Sequence, residues 1–103
     1  MKRCFIVSLC KNGILGGAIR ANNEAITYST GKLTVPKEYK RIEMKYSEIA
    51  GVEKGWMLLF PTAMIEMKDG RKFKFIVFNR RRFMRTLTEM GVTVQGANPA
   101  RQG

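Results

Sequence analysis

The sequence predicts a mainly β fold, about seven short antiparallel strands capped by one C-terminal α-helix. Three observations carry that expectation. Strand-like runs recur along the chain with short turn signals between them, too short for the dozen-residue crossovers that parallel strands need. An Asp69-Gly70 dipeptide joins two such runs, the strongest short-range hairpin signal. Helical apolar spacing occurs in a segment near the C-terminus. With 103 residues, 45% of them apolar, the chain can build a single core. One domain is expected over residues 1–95, followed by a flexible tail over 96–103, with the apolar signal fading from Val92 onward.

The elements follow in order. The start has basic residues and an apolar stretch, as a leader peptide does, but Lys11 ends that stretch after seven residues. A membrane-spanning helix needs about 20 apolar residues, so the stretch reads as a first strand. Cys4 and Cys10 lie in it; at ~3.3 Å per residue they are about 20 Å apart, too far for a disulfide. Reduced thiols fit a cytoplasmic setting, which is the expected location. Asn22-Asn23-Glu24 is a turn between Ala18-Ile19-Arg20 and the strand-like Ala25-Ile26-Thr27-Tyr28. Ser29-Thr30-Gly31 reads as another turn, and Lys32-Leu33-Thr34-Val35 as a short strand stopped by Pro36. After the polar connection Lys37 to Arg41, Ile42-Glu43-Met44-Lys45-Tyr46 alternates. Glu48 to Val52 and Gly55 precede Trp56-Met57-Leu58-Leu59-Phe60, read as a strand broken by Pro61 and resumed at Thr62. The run ending at Lys68 and the run from Arg71 to Phe78 flank Asp69-Gly70, both of whose turn positions are expected at φ > 0. In the second run Phe73, Phe75 and Val77 face the core, while Lys72, Lys74, Ile76 and Phe78 face away. Asn79 is a suitable N-cap and Gly91 a suitable stop for a helix of about three turns, whose stripe of Phe83, Leu87, Met90 and Met84 must dock on the sheet. Closing the sheet into a small barrel would hide its edges.

Taken in sequence, Ile26-Thr27-Tyr28, Met44-Lys45-Tyr46-Ser47-Glu48-Ile49, Val52-Glu53-Lys54, Met67-Lys68-Asp69-Gly70, Phe73-Lys74-Phe75 and Asn79-Arg80-Arg81-Arg82-Phe83-Met84 resemble the bacterial pleckstrin-homology-like and GRAM-like domains over residues 14–91. The resemblance implies an antiparallel split barrel of two nearly orthogonal sheets, with the C-terminal helix plugging one open end. It also implies binding of phosphoinositide headgroups, peptides or partner proteins. Lipid-binding members concentrate Lys and Arg in the first hairpin; here that region offers Lys11 beside Asn12-Gly13.

Charge and chemistry narrow the function. Nineteen Lys and Arg against eight Asp and Glu leave +11, which attracts anionic partners. Residues 68–85 hold Lys68, Arg71, Lys72, Lys74, Arg80, Arg81, Arg82 and Arg85 against Asp69. In the first turn of a helix, Arg80 to Arg82 oppose the helix dipole at ~0.3–1 kcal/mol each, beside free N–H groups that suit an anion. Arg71, Lys72, Lys74, Arg80, Arg81 and Arg82 are therefore the candidate anion-binding residues, while Arg82 and Arg85 can also pair with Glu89. The apolar run makes Trp56, Leu58 and Phe60 the candidate partner interface. The chain has no His, the usual general base near neutral pH. Glu43, Glu48 and Glu53 read as solvated, and Gly13, Gly16 and Gly17 lack phosphate-loop spacing. The expectation is a non-enzymatic binding module without cofactor, metal or small-molecule substrate: a protein-interaction scaffold, self-associating or not, with peripheral binding to anionic membrane lipid as the alternative. Nucleic acid ranks below both, because no RNA-binding signature matches.

Overall fold

The computed structural model describes residues 2–11, 13–31 and 35–95. Its elements are β1 (Arg3–Cys10), β2 (Ile14–Ala21), β3 (Ala25–Ser29), β4 (Arg41–Lys45), β5 (Ile49–Met57), β6 (Phe60–Met67), β7 (Lys72–Val77), α1 (Arg80–Glu89) and β8 (Val94–Gln95). Short 3₁₀ turns occupy Lys37–Tyr39 and Tyr46–Glu48. The fold is mainly β with one helix, as the sequence predicts. The strands form one sheet in the order β4-β3-β2-β1-β7-β6-β5-β8. Two meanders, β1 to β4 and β5 to β7, are stitched together by antiparallel pairing of β1 with β7 at Val7–Val77, Ser8–Ile76 and Leu9–Phe75.

The sheet does not close, in contrast to the sealed shell expected: β4 and β8 are its two edges. The reason lies at the junction between the meanders. The Tyr46–Glu48 turn sends its backbone bonds elsewhere, Tyr46 N–H donating to Glu24 O and Lys68 N–H donating to Glu48 O. The Tyr46 hydroxyl donates to Asn22 O at 2.8 Å. Held by the β2–β3 turn on one side and the β6–β7 turn on the other, the chain passes from β4 to β5 without a hairpin.

Alternation sets which side of each strand is buried. Phe5, Val7 and Leu9 on β1, and Ile42 and Met44 on β4, point into the core, while Arg41, Glu43 and Lys45 point out. The open sheet curls enough for inward side chains of β1 to β7 to meet in one cluster. Tyr28 on β3 packs on Phe75 of β7 with ring centroids 5.3 Å apart, although β2 and β1 lie between those strands in the sheet. The Tyr28 hydroxyl donates to Leu15 O. Phe83 and Leu87 dock α1, Phe83 meeting Phe5 edge-on at 5.2 Å.

Several local expectations are corrected. Leu58-Leu59 is the two-residue loop of a hairpin, with Met57 paired to Phe60, so the Trp56 to Phe60 run is a strand end, a turn and a strand start. Pro61 does not break β6; it lies one position past the last β6–β7 pair, Thr62–Ile76, where its missing N–H interrupts no ladder bond. At the β6–β7 turn Gly70 alone has positive φ, +97°. Gly70 N–H donates to Met67 O, and Met67 N–H to Arg71 O, which makes a longer turn than the two-residue type. Asn79 precedes α1 without a side-chain capping bond, while Gly91 ends the helix at φ +86° as expected. Glu89 pairs with Arg3 at 2.9 Å, not with Arg82 or Arg85, because the Arg3 guanidinium is already anchored on the buried Thr86 hydroxyl at 2.7 Å. Val92 enters the core, and β8 pairs parallel to β5 at Val52–Val94, an addition to the antiparallel pattern. Val35 lies in a bend; residues 32–34 of the expected strand and the expected tail over 96–103 lie outside the described residues.

Gly17 tests the β2–β3 contact. A Cβ there would sit 2.3 Å from Ser29 O and 2.9 Å from Tyr28 Cε1, whereas one at Gly16 would meet nothing within 4 Å. Gly17→Ala should lower unfolding free energy by roughly 1–3 kcal/mol and Gly16→Ala change it by no more than ~0.5 kcal/mol, as measured by urea denaturation.

Candidate functional site

The β5–β6 hairpin carries its apolar residues past the edge of the core. Leu58 and Leu59 at the loop are 88% and 89% exposed. By register Trp56 shares the side of Lys54 and Val52, and Met57 and Phe60 take the other. Trp56 is 63% exposed and Phe60 45%. The end of the hairpin is therefore apolar on both faces and at its tip. Phe60 meets Phe78 edge-on at 6.3 Å, and Phe78 N–H donates to Ile6 O at 3.4 Å. Phe78 and Ile6 are themselves exposed, so a row of large apolar side chains runs from the tip across to β1. Apolar patches of this continuity mark interaction surfaces more often than isolated exposed residues do.

Arg80 fixes the base of this tip. Its guanidinium lies 4.7 Å over the Trp56 ring and donates to the carbonyl of Gly55 and, at 3.2 Å, to that of Thr62. Partial burial pushes its pKa down from the usual guanidinium value; arginine keeps its charge in proteins. The side chain thus holds two backbone acceptors and a ring at the root of the hairpin.

The candidate anion-binding residues separate into two groups. Arg71 sits in the β6–β7 turn, bonded to Asp69 at 2.8 Å and 5.7 Å from the Phe73 ring. Lys72 and Lys74 are at the same end of β7, on the face turned from the core. Arg80, Arg81 and Arg82 lie beyond the other end of that six-residue strand, roughly 15–20 Å away. Of these, Arg81 and Arg82 are exposed, with Arg82 5.3 Å over the Phe5 ring. Trp56, Leu58 and Phe60, by contrast, all lie at one hairpin end, with Trp56 and Phe60 on opposite faces of it. The sequence reading missed Leu59, Phe78, Ile6 and the clamp role of Arg80. Ile6 could have been found from its phase, opposite to Phe5, Val7 and Leu9; the Arg80 contact carries no sequence signal.

Leu58 has φ +56°. Glycine or asparagine ordinarily takes such a place, and a leucine there is strained by ~1–2 kcal/mol. An almost fully exposed leucine does not recover that within the fold, which points to a use for the side chain outside it. Among the described residues no group of three or more His, Cys, Asp and Glu could hold a metal ion, and no helix is long and apolar enough to cross a membrane.

Together, the fold and this site describe a small β module with an arginine-braced apolar hairpin. No protein-family profile matches the chain, and no curated protein does. Among solved structures it is similar to the C-terminal domain of an unknown protein from Leishmania infantum, with a TM-score of 0.71 and 10% identity, over 85% of this chain and 80% of that one. At that identity the likeness shows the fold alone.

Leu58→Gly should relieve the loop strain, raising stability by about 1 kcal/mol and the melting temperature by roughly 4–8 °C. A calorimetric scan in which the variant melts lower would show that the leucine supports the fold.

Proposed function

We propose that this chain is a non-enzymatic module that docks on anionic membrane surfaces, its β5–β6 tip entering the apolar layer while nearby cations meet lipid phosphates. The observation that carries the reading is that the tip is apolar on every side and is held by Arg80, the first residue of a helical turn that continues with the exposed Arg81 and Arg82. A protein partner covers one face of a hairpin; immersion in lipid covers all of it. Each large side chain fully transferred from water contributes ~1.5–3 kcal/mol, and each basic residue near an anionic surface about 1 kcal/mol. Trp56 suits the boundary, with an apolar ring and a polar N–H. The sum is of the size expected for reversible peripheral binding, and the anionic cytoplasmic leaflet is the surface it fits. In this reading the open sheet is a split barrel of the pleckstrin-homology-like kind, parted between its β4 and β8 edges and sealed at one end by α1. The strand order and the docked helix support it.

The protein-scaffold reading, in which Trp56, Leu58 and Phe60 bind a partner or a second copy, uses the same tip and is separated by experiment. Trp56 is the chain's single tryptophan, so its emission reports on the tip. Mixing with vesicles of phosphatidylcholine and phosphatidylserine should shift that emission to the blue, in a salt-sensitive way, and carry the protein down on sedimentation. Leu58→Asp combined with Leu59→Asp should abolish both effects while leaving thermal unfolding intact. An unshifted emission with vesicles, together with a dimer by light scattering that these substitutions dissolve, would replace the membrane reading by self-association.

A further inference from the structure

The outward face of the β1–β4 meander carries a second surface, built differently from the tip. Cross-strand register sets Cys4, Arg20 and Thr27 side by side on β1, β2 and β3, with Glu43 of β4 at the far end of the row. The next row sets Ser29 beside Arg41 on β3 and β4. All of these but Glu43, together with Lys2, line an open groove of about 610 Å³ whose lining contains no carboxylate. Lys2, Arg20 and Arg41 are exposed, and no ion pair engages them among the described residues. Arg3 also borders the groove, but its guanidinium is committed to Thr86 and Glu89. This is more than the general excess of charge spread evenly. The hollow beside it mixes Glu24 and Glu43 with Lys45 and Lys68, and another, which Arg41 also borders, mixes Glu38 and Glu43 with Lys11, Arg71 and Lys72.

Strand spacing puts the Arg20 and Arg41 Cα atoms roughly 12 Å apart, a gap that two arginine side chains can close on one shared anion. Guanidinium forks match phosphate oxygens in pairs, which a lysine head does less well; a carboxylate has oxygens for one fork, whereas a phosphate monoester has three terminal oxygens to share between two. The Thr27 and Ser29 hydroxyls, half-buried between the two arginines, supply neutral donors on the groove floor. Three unneutralised cations and two hydroxyls converging on one hollow fit a dianion with several terminal oxygens.

We infer that this groove is a binding site for a phosphate monoester, with Arg20 and Arg41 as its principal ligands. The ester can be carried by a lipid headgroup or be free in solution. For the lipid source the inference rests on the membrane-docking reading; for the free source it does not. Cys4 and Ile6 stand two residues apart on the same face of β1, about 7 Å, so the groove adjoins the apolar row that leads to the tip.

The test compares vesicles containing phosphatidic acid with charge-matched phosphatidylserine vesicles, and adds soluble glycerol 3-phosphate as a separate arm. The native chain should prefer the monoester by about tenfold. Arg20→Gln with Arg41→Gln should remove that preference. Lys37→Gln with Lys45→Gln, the same charge change at exposed lysines outside the groove, should keep it. Cys4 is exposed in the groove, so the bound monoester should slow its alkylation, read by mass spectrometry. Cys10, whose thiol burial pushes above its usual pKa, serves as the reference. Protection by glycerol 3-phosphate without a vesicle preference assigns the site to a soluble ester; a preference for phosphatidic acid vesicles assigns it to lipid. Equal losses in the two double variants, or no preference and no Cys4 protection in either arm, would overturn the site. The docking reading fails separately: monoester protection of Cys4 with an unshifted Trp56 leaves the groove standing without the membrane, and a shifted Trp56 without protection or preference does the reverse.

Discussion

Three residue pairs between β1 and β7 hold the two meanders in one sheet, and most of the molecule follows from them. Through Leu9–Phe75 they turn Phe75 toward Tyr28, the ring contact that shows how strongly the sheet curls. Through Val7–Val77 they bring Ile6 alongside Phe78 and so extend the exposed apolar row. They also set where β7 ends, so that α1 starts over β1 and lays Phe83 on Phe5. Hydrophobic burial drives each contact, but register decides which side chains meet, since a slip by one residue would exchange the two faces.

The first turn of α1 shows how an unfavourable charge pattern is accommodated. Three successive arginines at a helix N-terminus oppose the dipole. Two of them lie over aromatic rings, Arg80 over Trp56 and Arg82 over Phe5, where the planar guanidinium gains cation–π attraction of ~0.5–2 kcal/mol. Arg80 adds bonds to the carbonyls of Gly55 and Thr62, a cross-strand pair at the hairpin root. The arginine stems thus cover apolar surface while their heads stay polar.

Much of the architecture was legible in the chain because local chemistry and global fold agree there. Asn22 accepts from Glu24 and Ala25 N–H and makes the turn its residue type announces. Ile42 and Met44 alternate cleanly, and Phe83 and Leu87 keep helical spacing. Legibility failed where periodicity carries no information. Five apolar residues from Trp56 to Phe60 look alike as a buried strand or as a hairpin with a greasy loop, and Leu58-Leu59 lacks the Gly, Asn or Asp that advertises a turn. Val92 and β8 depend on a pairing with β5 forty residues earlier in the chain. Of the site, the tip residues were visible as hydrophobic excess. The groove was not, because Arg20 and Arg41 become neighbours through two strand registers that no local pattern encodes.

The short β8 has a mechanical corollary. It supports β5 at Val52 and Glu53, and among the described residues no strand flanks the remainder of β5 on that side. From Lys54 to the loop the hairpin is a cantilever, joined to the body along one margin and braced by the Arg80 guanidinium at Gly55 and Thr62. A load applied at the free end is therefore delivered to the first residue of α1, and through that helix to the centre of the molecule.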